Sequence, residues 1–132
     1  MLVVIDTSFW IDYGRGAVTA AEREWVESLW RQGGAVLYQF VWLELVVGHR
    51  SPSEQKTLRA YRQICRWELI TVEDATNAER FACQLRNRGH TMSASDLLIL
   101  AAADRLGAKL IHHDRDFTLA LKQPAFAHLG SS

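Results

Sequence analysis

Cysteine, proline and net charge are all scarce in this chain of 132 residues, and each scarcity narrows what it can be. The two cysteines, Cys65 and Cys83, form no C-x-x-C pair and fall in stretches that read as helix, where a small buried hydrophobe is the usual role. That usage suits a reducing cytoplasm and excludes a disulfide framework. Two prolines in a composition that is 48% hydrophobic leave no room for a long disordered arm. Fifteen basic and fifteen acidic residues cancel, so no global positive field announces a nucleic-acid partner. Any such binding must come from local patches or from bound metal. Apolar runs are short: Asp6 and Asp12 interrupt the opening one, and none approaches the ~18 uncharged residues of a membrane span. Neither secretion nor insertion is expected.

What is present is a length that fits one ordinary domain, so residues 1–132 are expected to form a single unit. Leu2 to Ile5, Ala35 to Tyr38 and Lys109 to His112 are brief apolar runs suited to strands buried on both faces. Glu68 to Val72 and Ala125 to Leu129 are expected as two further strands. Helical patterns lie between them: Thr7 to Tyr13, a helix capped by Thr19-x-x-Glu22, Phe40 to Gly48, and Ser51-Pro52-Ser53-Glu54 leading to about Trp67. Thr76-x-x-Glu79 predicts the cap of another helix, Ser93 to Leu106 reads as a central apolar one, and Asp116 to Lys122 as a short one. Strands alternating with helices predict an α/β domain with a mostly parallel sheet of about five strands.

Carboxylates carry the chemistry. Asp6 and Asp114 each follow a strand, at the sheet edge where open parallel sheets bind ligands. Glu44 is the one charge between Phe40 and Gly48, and a carboxylate aimed inward there requires a cation, a proton or an Arg partner. Asp96 opens the most apolar helix. Plain structural roles stand beside these: Asp6 and Asp116 can each cap a helix, and Asp96 can close a capping box with Ser93. Taken jointly, four carboxylates in one crevice repel unless a hard cation neutralises them, and Mg²⁺ or Mn²⁺ takes oxygen ligands. His112-His113-Asp114 does not make a zinc site, because neighbouring residues at a strand end face opposite ways and spacing places no third nitrogen or sulfur ligand.

Four blocks of the chain have a familiar order and spacing. They are Leu2 to Trp10 with Asp6, Thr7 and Ser8; Glu44 to Arg50; Ser95 and Asp96 with the apolar run after them; and Leu110 to Phe117 with Asp114 and Asp116. Together they resemble the PIN-domain ribonucleases called VapC toxins, over nearly the whole chain. The resemblance implies a PIN-like three-layer fold, a homodimer, and Mg²⁺- or Mn²⁺-dependent cleavage of RNA, often tRNA or ribosomal RNA. It also implies a cognate antitoxin. Asp6, Glu44, Asp96 and Asp114 match the family's acidic positions, with Asp6, Asp96, Asp114 and Asp116 as the metal-holding set and Ser8 as the supporting hydroxyl. His112 departs from the Thr that many relatives carry there.

Arg15, Arg50 and Arg115 follow the acidic blocks and are placed to steer phosphates toward the crevice. Arg59, Arg62 and Arg66 form a stripe read as a solvated helix face. Trp10, Tyr13, Trp42 and Val46 are core by default, and the resemblance assigns part of that set to an antitoxin groove. The reading from a different class is a module of the same fold that binds RNA or protein without cutting.

Overall fold

The computed structural model describes residues 1–130. Four strands, β1 (Val3–Ile5), β2 (Ala35–Tyr38), β3 (Arg66–Glu68) and β4 (Lys109–Ile111), form one sheet in the order β3-β2-β1-β4, with every pair parallel. Val3 pairs with Ala35 on one side and Lys109 on the other, so β1 is central, and all its side chains are buried. Both faces of a parallel sheet must be covered by its crossover helices, which explains the unbroken apolar character of β1 and β2.

Among the described residues seven α-helices do the covering: α1 (Thr7–Gly14), α2 (Ala20–Gln32), α3 (Gln39–Gly48), α4 (Pro52–Ile64), α5 (Val72–Asn87), α6 (Ala94–Leu106) and α7 (Arg115–Leu121). Helix α6 is the central one: Ile99, Leu100, Ala101, Ala102 and Ala103 have no exposure, and it packs against β1, β4, α3 and α5. Small alanines let it approach the sheet closely. No described helix is long and apolar enough to cross a membrane.

The expected fifth strand is absent: Ala127–Leu129 is a 3₁₀ turn, and the sheet has four strands among the described residues. The buried residues of that segment, Phe126 and Leu129, are three apart, which is the spacing of a helical turn and not of a strand. Phe126 meets Phe81 edge to face at 4.9 Å, fixing the turn against α5. The third strand also lies earlier than its expected start at Glu68. Thr71 is taken instead as the cap of α5, with Asp74 as the reciprocal arm, so the helix begins four residues ahead of Thr76. Thr76 lies inside the helix, its hydroxyl donating to the Val72 carbonyl. The cysteines differ from expectation too: Cys65 ends α4 half-buried, and Cys83 is exposed on α5.

A buried polar knot joins sheet and helices away from the carboxylate cluster. Asp74, wholly buried, accepts from the Tyr38 hydroxyl at 2.7 Å and from Arg105 Nε at 2.7 Å. Burial alone would raise the Asp74 carboxyl, but Arg105, Tyr38 and the Thr71 backbone N–H hold it below its ordinary range. Nothing in the chain spacing pointed to this knot.

Candidate active site

The C-terminal ends of β1 and β4 deliver their acids side by side, because Ile5 and Ile111 are paired and the Asp6 N–H donates to the Ile111 carbonyl. Asp6 ends β1 and caps α1, its carboxylate accepting from the Ser8 N–H at 3.1 Å and the Ser8 hydroxyl at 2.5 Å. Asp114 does the same for α7, accepting from the Asp116 N–H at 2.7 Å. The expected cap, Asp116, is instead in the first turn. Asp96 is in the first turn of α6, where its N–H donates to Ser93, while no return bond from its carboxylate to the Ser93 backbone closes the box. Helix N-termini favour anions, so capping and cation binding are compatible uses of one carboxylate.

Carboxylate oxygens of Asp96, Asp114 and Asp116 all lie within 4.8 Å of one another. Asp6, only 3% exposed, stands outside that trio but close enough to feel the charge of Asp114 and Asp96. Glu44, half-buried in α3, accepts from the Thr7 hydroxyl at 2.7 Å and feels Asp6. Burial raises the Asp6 carboxyl, against the pull of Ser8 and Thr7 and with a further rise from Asp114. Burial likewise raises Glu44, with Thr7 opposing it. For Asp96, burial followed by the charges of Asp114 and Asp6 pushes the carboxyl up to about 6. Among the described residues no Lys or Arg forms an ion pair with any of these five acids. An oxygen-only, anionic, partly dehydrated donor set without a counter-ion fits a hard divalent cation.

The two histidines diverge as their strand-end positions require. His112 packs on Phe117, and its Nδ1 accepts the Asp114 N–H at 3.2 Å, so the imidazole does work that a Thr hydroxyl could do there. Burial lowers His112, with Asp6 and Asp114 opposing. His113 turns the other way, toward α1 and α2.

A groove of about 440 Å³ runs from Glu44 between α1, α3 and α4, lined by Trp10, Ile11, Arg15, Arg50 and Tyr61 among others. Trp10 is nearly wholly buried in an aromatic layer, stacked on Trp30 and 4.3 Å from Tyr61. Tyr13 donates to Glu27, and Trp42 packs with Trp67 under the Arg62 guanidinium; neither these two nor Val46 lines the groove. The expected helix face of Arg59, Arg62 and Arg66 is not one face: α4 ends at Ile64, and Arg66 lies in β3, where it pairs with Glu68.

A family model described as PIN domain matches residues 3–120. The chain belongs to the PIN-domain family. Ribonuclease VapC11 of Mycobacterium tuberculosis and VapC ribonuclease Mb1587 of Mycobacterium bovis are each 31% identical over 124 residues, covering 88% of this chain and 89% of their own length. VapBC2 from Rickettsia felis, solved with a fragment of promoter DNA, shares the fold at a TM-score of 0.77 and 15% identity, over 90% of this chain and 92% of its own. A toxin–antitoxin complex from Klebsiella pneumoniae does so at 0.69 and 18%, over 87% and 89%. In this PIN domain the matched region contains Asp6, Glu44, Asp96, Asp114 and Asp116, with Thr7, His112 and His113. Thr7 meets Glu44 from 37 residues away, and the partners of His113 are more distant still. Asp12 and Glu22 lie 101 and 91 residues from His113, so no local pattern could have joined them.

Proposed function

We propose that this PIN domain is a metal-dependent endoribonuclease, the toxin of a toxin–antitoxin pair. The observation that carries the reading is the gathering of Asp6, Glu44, Asp96, Asp114 and Asp116 at one sheet edge, with no Lys or Arg ion pair to them among the described residues. Relatives named as ribonucleases, 31% identical over most of the chain, support the same chemistry.

Asp96, Asp114 and Asp116 would hold Mg²⁺, with Mn²⁺ the alternative, while Asp6 and Glu44 would complete the negative field around it. When bound, the ion supplies charge neutralisation at a phosphodiester and activation of a water nucleophile. The protein's own contribution is to hold mutually repelling carboxylates in place. Ser8 and the helix N-termini orient them, and Thr7 fixes Glu44. Arg15 and Arg50 on the groove, with exposed Arg115 beside the cluster, draw the RNA backbone in. Structured RNA such as tRNA or ribosomal RNA is the substrate class, a homodimer the working form and the cytoplasm the place of action.

The antitoxin takes the groove between α1, α3 and α4, with Trp10 and Tyr61 as its apolar floor and Glu44 receiving a basic side chain. Such a side chain would compete with metal for the same negative field. The test is incubation of the protein with total RNA, with Mg²⁺ and with EDTA, followed by mapping of new 5′ ends. Cleavage that needs Mg²⁺ and is lost in Asp6→Asn is the expected result. RNA binding without new ends under either condition would instead identify a binding module.

A further inference from the structure

His113, next to Asp114, is attached at three points to α1 and α2. Its Nδ1 lies 2.7 Å from Asp12 Oδ2 on α1, and its Nε2 lies 2.6 Å from Glu22 Oε2 on α2. Its backbone N–H donates to the Ser8 hydroxyl at 2.9 Å, and that same hydroxyl donates to Asp6. Glu22 is itself anchored, since its other oxygen accepts from the Thr19 N–H at 2.9 Å. The Phe9 ring meets the imidazole edge on at 5.0 Å and limits its rotation.

We infer that His113 is a positioning residue for cation binding: it clamps the loop carrying Asp114 to α1 and α2, and so keeps Asp114 beside Asp6. The inference rests on the proposed reading of the cluster as a divalent-cation site. Its physical basis is repulsion. Asp6, Asp96 and Asp114 repel one another before any cation arrives, and Asp114 follows directly on His113 in the loop after β4. A clamp through two carboxylates on separate helices holds that loop against the repulsion. The Ser8 hydroxyl then links both sides of the gap, accepting from the His113 backbone and donating to Asp6. Outer groups of this kind set the orientation of metal ligands and hence affinity.

The test measures Mg²⁺ affinity by titration calorimetry for the parent, His113→Ala, Asp12→Ala, the double variant and His113→Arg, with thermal unfolding in EDTA alongside. His113→Ala is expected to weaken Mg²⁺ binding by ~10–100-fold. The double variant should be little weaker than His113→Ala, because the two residues act through one contact. His113→Arg should recover most of the affinity, since a guanidinium offers forked donors to both carboxylates. Parent affinity in His113→Ala, or simple addition of the two single effects, overturns the clamp. If His113→Ala does not fold, Asp12→Ala alone decides: weakened Mg²⁺ binding supports the clamp and unchanged binding overturns it. A parent that binds no Mg²⁺ overturns the cation-site reading and the clamp together, whereas a parent and His113→Ala that bind equally overturn the clamp only.

Discussion

The Thr7 hydroxyl donates to Glu44 Oε1 at 2.7 Å, joining the residue beside Asp6 to the middle of α3. Thr7→Val keeps the shape and removes the donor, leaving a half-buried carboxylate with no protein partner. The expected outcome is a loss of about 1 kcal/mol in denaturant unfolding and a several-fold weaker Mg²⁺ response. A variant matching the parent in both would show that Glu44 needs no support.

Repulsion within the cluster makes a second prediction about stability. Asp96 is held up to about 6 by burial and by Asp114 and Asp6, so Asp96→Asn should make the protein more stable in EDTA. Each kcal/mol of relief raises Tm by about 3–5 °C in a chain of this size. Mg²⁺ should stabilise the parent, by about 2.7 kcal/mol at a hundredfold excess over Kd, and should do little for the variant. Equal melting temperatures for parent and variant in EDTA would count against stored repulsion.

The knot of Tyr38, Asp74 and Arg105 governs acid sensitivity. The folded Asp74 carboxyl titrates below its unfolded value, so its stabilisation is complete above the unfolded pKa of about 4 and fades as pH falls through the folded one. Asp74→Asn leaves Arg105, 16% exposed, without its charged partner, and should lose about 3–5 kcal/mol at pH 7. That deficit should shrink below about pH 4. A parent-to-variant gap constant from pH 7 to pH 3 would refute the assignment.

Arg15 and Arg50 are both exposed on the groove that leads from Glu44. Replacing both with Ala should weaken RNA binding and flatten its salt dependence by roughly 0.7 in log–log slope for each phosphate that is no longer neutralised. Fluorescence anisotropy between low and moderate salt reads this directly, and an unaltered slope would place the RNA path elsewhere.

Short apolar strands alternating with capped helices, and therefore an α/β domain with a parallel sheet, are legible along the chain. Apolar runs such as Val3–Ile5 and Ala35–Tyr38 can be satisfied only by cover on both faces, and caps such as Thr19 with Glu22 act over three residues, so both are written locally. The acids were legible for a related reason: Asp6 and Asp114 follow strands that parallel pairing brings together, and Glu44 interrupts an apolar helix. The rest depends on packing between distant segments. Phe126 turns inward at the head of a 3₁₀ turn, where Phe81 of α5 receives it, a fact absent from the segment's own composition. Asp74 with Arg105, and His113 with Asp12 and Glu22, are contacts between distant parts of the chain, and side chains that meet only after packing leave no periodic trace in the sequence.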